Sequence, residues 1–244
     1  MKLIEFDTFS EMERQAAHLL CEHFQYHRAH PQAVMLTGGR TPLGVYRILE
    51  ESRESVDAFL HLLISDERHV PLESPRSNYG NMRAMVRALG IDESRVMRVH
   101  TELPLDDAAD RYNEALSTYV DKGGRITLGF LGLGADGHVA SLFAKEDLAR
   151  QADRYALAVP RKNGPDRGSV TRKLLLKVES LVFLVAGQEK LDVLETTLKD
   201  PGSTVAGQAV RGISQTELCS TFADFRRLRC LGQVVQHRGS QFRR

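Results

Sequence analysis

ITLGFLGLGADGHVASLF, residues 126–143, decides the reading of the whole chain. It opens with an apolar run, Ile126 to Leu133, of the length expected for a strand buried on both faces. Gly129, Gly132, Gly134 and Gly137 then break the pattern, and a loop so rich in glycine lets backbone N–H groups come close to a ligand. Asp136 and His138 sit inside that loop. The following Val139-Ala140-Ser141-Leu142-Phe143 can resume as a helix. An acid and an imidazole two residues apart, at the carboxyl end of a strand, form an active-site layout, because open α/β sheets bind ligands at that rim. Gly132 to Gly137 also match the dinucleotide pattern G-x-G-x-x-G, but Asp136 would set a negative charge where a pyrophosphate rests. A packed or capping histidine is the bland alternative for His138, and the remaining loops weigh against it.

Outward from this centre, strands alternate with helices. Apolar residues at Met12, Ala16, Leu19, Leu20 and Phe24 predict a helix from about Ser10 to Arg28, opened by a serine cap. Ala33 to Leu36 is a short buried strand running into Thr37-Gly38-Gly39-Arg40-Thr41-Pro42, with a helix from Pro42. Glycines, hydroxyls and a helix N-terminus there offer an anion site, against the alternative of a plain turn. Leu60 to Ile64 predicts a second strand that ends in Ser65-Asp66-Glu67-Arg68-His69, an unusual density of ionisable groups. Ser77-Asn78 start a helix with Met82, Met85, Val86 and Leu89 on one face, and another helix spans about Leu105 to Val120. Tyr155 to Val159 reads as a strand before a polar loop, Lys162 to Gly168. Leu181 to Ala186 is the last clear strand, ending in Gly187-Gln188-Glu189-Lys190 before a helix to Leu198. The fold class is α/β, a single domain over residues 1–244 with a mostly parallel, Rossmann-like sheet flanked by helices. The polar groups after four strands then share one rim and read as one site.

Composition excludes several classes. A net charge of +1 gives no nucleic-acid footprint, and the arginines of the tail (Arg226, Arg227, Arg229, Arg238, Arg243, Arg244) read as a solvated terminus. Cys21, Cys219 and Cys230 fit neither a disulfide framework nor a zinc spacing. MKLIEFDTF lacks a signal-peptide core and no run reaches membrane-spanning length, so the chain reads as cytoplasmic, with no membrane partner.

Together these segments resemble the 6-phosphogluconolactonase family, which is grouped with the glucosamine-6-phosphate deaminases. Gly38-Gly39-Arg40-Thr41-Pro42, Asp66-Glu67-Arg68 with Ser77-Asn78, the motif from Gly132 to Phe143, Pro165-Asp166-Arg167 and Gly187-Gln188-Glu189-Lys190 carry the resemblance, from about residue 30 to 200. It implies hydrolysis of 6-phosphogluconolactone in the oxidative pentose phosphate pathway, with His138 as catalytic base. It also implies Arg68, Arg167 and Lys190 as phosphate partners beside Gly38, Gly39, Arg40, Thr41, Asp66 and Glu67 in the substrate site. Arg40 stands where the family has a Ser, Ala144 replaces a Pro, and the segment after about residue 201 diverges. Thr37-Gly38 and Thr41-Pro42-Leu43-Gly44 lean towards the deaminases, but those enzymes carry a Glu at the place of Phe143.

A histidine can take a proton from water near neutrality and return it to the leaving alkoxide, with Asp136 orienting the imidazole. No Ser or Cys occupies a nucleophile elbow, so direct attack by water is expected, without metal or other cofactor. The expected partner is a small sugar phosphate, and the assembly a monomer or homodimer. An amino-sugar-phosphate deaminase or isomerase and a non-catalytic sugar-phosphate sensor remain the alternatives.

Overall fold

The structure, a computed structural model, describes residues 1–26, 30–221 and 235–237. Arg28, Cys230 and the arginines of the tail lie outside the described residues.

The sheet is built from β1 (Lys2–Glu5), β2 (Gln32–Leu36), β3 (Leu60–Ile64), β5 (Val96–Met97), β6 (Arg125–Gly132), β9 (Val178–Val185), β10 (Gln215–Ser220) and β11 (Val235–His237). Its order is β11-β1-β10-β9-β6-β2-β3-β5, and every pairing is parallel. Parallel strands need crossover connections, and these place helices on both faces. Alternation along each strand divides the core accordingly. Ala33 and Met35 of β2, with Leu181 and Phe183 of β9, face one apolar layer. Val34 and Leu36, with Phe130 of β6 and Val182, face the other. Against the first layer pack α4 (Leu105–Asp121), the short α5 (Arg172–Leu175), α6 (Leu191–Lys199) and α7 (Val205–Ala209); against the second pack α1 (Phe9–Gln25), α2 (Leu43–Ser52) and α3 (Arg83–Ala88). Phe130 and Phe183 are fully buried on opposite faces, and each such side chain contributes about 1.5–3 kcal/mol. The expected α/β, Rossmann-like class is the observed one.

Several elements differ from expectation, each for a local reason. Helix α1 is capped by Thr8, whose hydroxyl accepts the Glu11 N–H, so it begins before Ser10. The helix expected from Ser77 starts only as a 3₁₀ turn at Gly80, because the N–H groups of Asn78 and Tyr79 are bound by the Glu67 carboxylate. Met82, Met85, Val86 and Leu89 are nevertheless buried together. Val139 to Phe143 form no helix. Ala140 has φ of +49°, and Val139 and Leu142 bridge across a tight turn.

The charged segment after β3 is itself a strand. β4 (Asp66–Arg68) pairs antiparallel with β8 (Arg167–Val170), which pairs with β7 (Ala156–Val159). Arg167 therefore opens a strand rather than closing a loop. Beyond Ala186, where the last strand was expected, β10 still enters the sheet between β1 and β9. Among the described residues no helix is long and apolar enough to cross a membrane.

Candidate active site

The glycine loop is folded onto its own functional side chains. Gly134 N–H donates to the His138 carbonyl at 2.9 Å and Gly137 N–H to the Gly134 carbonyl at 2.9 Å. Asp136 Oδ1 then accepts from His138 Nδ1 at 2.5 Å and from the His138 N–H at 3.3 Å. A Cβ on Gly134 would lie 2.1 Å from His138 Nδ1, so only glycine lets the pair close. Burial raises the Asp136 carboxyl, but the bonds and charge of His138 outweigh it and hold the group below the ordinary carboxylate range. With Nδ1 engaged, His138 Nε2 makes no hydrogen bond among the described residues, and the ring lines the cleft. Its face rests on Phe143, centroids 4.6 Å apart and tilted 45°.

That cleft lies over the carboxyl ends of β2, β3 and β6, as the shared-rim argument requires. Thr37, Asp66, Arg68, His138, Arg167 and Lys190 are among the residues lining it, around about 280 Å³. An adjoining depression of about 650 Å³ shares Gly38, Gly39 and Lys190 and adds Arg40, Thr41 and Glu189. A larger cavity, about 740 Å³, lies at the opposite rim beside Lys2 and Glu217. It gathers no imidazole and no guanidinium cluster comparable to the first, and size alone does not make it the site.

Two arginines set the electrostatics of the smaller cleft. Arg68 and Arg167 occupy directly opposed positions on β4 and β8. Like charges placed so repel each other. Arg68 Nη1 donates to the Arg76 carbonyl at 2.7 Å, but Nε and Nη1 of Arg167 are buried without a partner. Burial, then the guanidinium of Arg68, pull the Arg167 proton affinity below its usual value; Asp66 opposes them, and Arg161 and Arg76 add to the depression. Unpartnered buried donors beside a second cation call for an anion.

The other expected residues divide into two groups. Asp66 lines the cleft, with Oδ1 accepting from Ser65 at 2.9 Å and Oδ2 from Ser141 at 2.7 Å. Ser141 therefore spends its proton on Asp66. Lys190 Nζ donates to the Leu133 carbonyl at 2.7 Å, tying the segment before α6 to the glycine loop, and leaves further donors for the cleft. Glu67 does not face it. Its oxygens accept from Arg68, Asn78 and Tyr79 N–H groups and from Ser77 Oγ, so it organises the 77–79 segment instead of touching substrate. Glu67→Gln should place an amide NH₂ against buried donors and cost roughly 1–3 kcal/mol. Denaturant unfolding would read this, and an unchanged midpoint would mean that water substitutes freely there.

Gly38 is pressed against Asn78, where a Cβ would come within 1.8 Å of Oδ1. Arg40 is exposed and reaches only the outer depression. Helix α2 has no side-chain cap, yet Glu13 of α1 packs against Gly44 in its first turn. Phe143 and Arg161 carry contacts that the sequence did not signal, since they form between segments far apart in their local structure. Among the described residues no three His, Cys, Asp or Glu side chains cluster as a bound metal ion would require.

Fold and rim thus define a doubly wound α/β protein whose cleft sets an imidazole–carboxylate pair in the same space as Arg68 and the partly unpartnered Arg167. A sequence profile described as glucosamine-6-phosphate isomerases/6-phosphogluconolactonase matches residues 7–218, so the likeness begins before residue 30 and runs beyond Pro201. The 6-phosphogluconolactonase of Thermotoga maritima is 34% identical over 186 residues, 75% of this chain and 81% of that protein. The crystal structure of 6-phosphogluconolactonase from Thermotoga maritima aligns with a TM-score of 0.72 at 29% identity, covering 90% of this chain and 99% of that one. A monomeric glucosamine-6-phosphate deaminase aligns with a TM-score of 0.73 at 17% identity, covering 90% and 97% of the two chains, a likeness of fold alone. The chain belongs to the glucosamine-6-phosphate isomerase/6-phosphogluconolactonase family.

Proposed function

We propose that this chain hydrolyses 6-phospho-D-glucono-1,5-lactone to 6-phosphogluconate, the lactone-opening step of the oxidative pentose phosphate pathway. The observation that carries the reading is the placing of His138, oriented by Asp136, in the same cleft as the unpartnered Arg167 guanidinium. His138 Nε2 takes a proton from water as its oxygen attacks C1, and returns it to the ring oxygen as the C1–O5 bond breaks. Glycine-loop N–H groups are suited to the oxyanion that forms at C1. Arg167 and Arg68 hold the 6-phosphate, with Lys190 beside them. Ser141 is no nucleophile in this scheme, because its hydroxyl is committed to Asp66. The enzyme acts as one domain, in the cytoplasm, as a monomer or homodimer on a soluble sugar phosphate.

The deaminase alternative shares the fold, so chemistry must separate the two. Where deaminases carry a Glu, Phe143 packs its ring on His138 and offers no carboxylate. Incubation with glucosamine 6-phosphate should release no ammonia under conditions where the lactone is opened. Ammonia release at a rate matching or exceeding lactone opening would reverse the assignment.

Arg40 has a lesser share in binding. Being exposed, it is screened and orders a long side chain, so its contribution is that of a surface pair. Arg40→Ser should raise KM for the phosphorylated lactone by about two- to fivefold at low ionic strength. The difference should fade as salt is added. A larger rise that salt leaves untouched would place Arg40 in direct contact with the phosphate.

A further inference from the structure

We infer that Arg161, acting through the ring of Phe143, is a positioning residue for His138. The inference rests on the assignment of His138 as the base but reaches a residue on a different element. One hydrogen bond, from Nδ1 to Asp136, fixes one edge of the imidazole and leaves its tilt about that bond free. The Phe143 face supplies the second restraint at 4.6 Å, within the range of aromatic pairs. Phe143 itself ends a turn, not a helix, and is only partly buried. Its ring is held by the Arg161 guanidinium, 3.7 Å from the centroid.

Arg161 is placed for this by the loop between β7 and β8. Its N–H donates to Asp166 Oδ1 at 2.7 Å, closing the segment that leads into Arg167. Among the described residues its guanidinium has no carboxylate partner within salt-bridge distance, so its planar fork is spent on the aromatic face. The same hairpin therefore delivers one arginine to the phosphate and another to the ring that steadies the base. The other charged groups around His138 are Asp136 on its own loop, Asp66 and Arg68 on β4, Arg167 on β8, and Lys190 before α6.

The test joins Arg161→Gln and Arg161→Lys with Phe143→Leu and the double variant Phe143→Leu/Arg161→Gln. The His138 ring is followed by NMR without substrate, its signals among nine histidines assigned by loss in His138→Ala. In Arg161→Gln those signals should shift or broaden as the Phe143 ring loses its fixed place against the imidazole. kcat for the lactone should fall about three- to thirtyfold with KM within about twofold, a cost of the order seen when a reacting group loses its alignment. Arg161→Lys should lose part of kcat, since charge is retained without the planar stack. In the Phe143→Leu background, Arg161→Gln should add little further loss of kcat, because its restraint passes through the ring.

Unchanged His138 ring signals in folded Arg161→Gln, an effect confined to KM, or fully additive losses would overturn the inference. If Arg161→Gln fails to fold, Arg161→Lys with undiminished kcat overturns it as well. Shifted His138 ring signals in a protein that does not open the lactone would instead refute the lactonase reading and leave this contact standing.

Discussion

His138→Ala should lower kcat for 6-phosphogluconolactone by roughly 10²- to 10⁴-fold, the usual worth of a positioned general base. The side chain lies on a loop and is 29% exposed, so its removal empties no core cavity. Unfolding by denaturant should stay close to that of the parent. Asp136, held below the ordinary carboxylate range by its bonds to His138, remains ionised throughout the region where an imidazole titrates. Asp136 therefore contributes no limb to the kcat/KM profile near neutrality. A variant with near-normal turnover would make His138 a packing residue, and Asp66, the remaining carboxylate on the cleft wall, the next base to test.

Arg167→Ala should reduce kcat/KM for the phosphorylated lactone by about 10²- to 10³-fold, the loss of two charge-assisted bonds worth roughly 1.5–3 kcal/mol each, less a share taken up by Arg68. The unphosphorylated lactone should be affected far less. A readout independent of turnover follows from the two unpartnered nitrogens. Inorganic phosphate should raise the Tm of the parent, because a ligand that binds only the native state stabilises it by mass action. The Tm of Arg167→Ala should respond weakly. Equal losses on the two lactones, with an unchanged phosphate effect on Tm, would remove Arg167 from the anion site.

Much of this was legible in the chain because the signals were local. Ile126–Leu133 read as a strand buried on both faces because the run is apolar, and it forms β6, with apolar layers on either side of the sheet. The rim argument needed only that the strands be parallel. What escaped detection depended on partners distant in sequence. β1 and β10 carry Lys2, Glu5, Gln215 and Glu217, and their polar residues masked strands that take their place by pairing with each other and with β9. Asp66–Arg68, three ionisable residues in a row, carried no strand signal, yet β8, about a hundred residues on in the chain, holds it as a strand. The same pairing turned an expected loop arginine, Arg167, into the neighbour of Arg68. Glu67 had the residue type of a site carboxylate, and only the donors gathered around it reveal its structural use. Val139–Phe143 had helical composition, but the Ser141 N–H is bound to Ser169 Oγ and the Ser141 hydroxyl to Asp66, which favours the turn.

The central claim is that this cleft opens a sugar-phosphate lactone with His138 as base. Acid release from freshly prepared 6-phosphogluconolactone, followed near neutral pH and corrected for the spontaneous rate, tests it most directly. The account predicts rapid, saturable opening by the parent protein, with His138→Ala falling back towards the spontaneous rate. Opening no faster than in buffer, from folded protein that still binds phosphate, would contradict it.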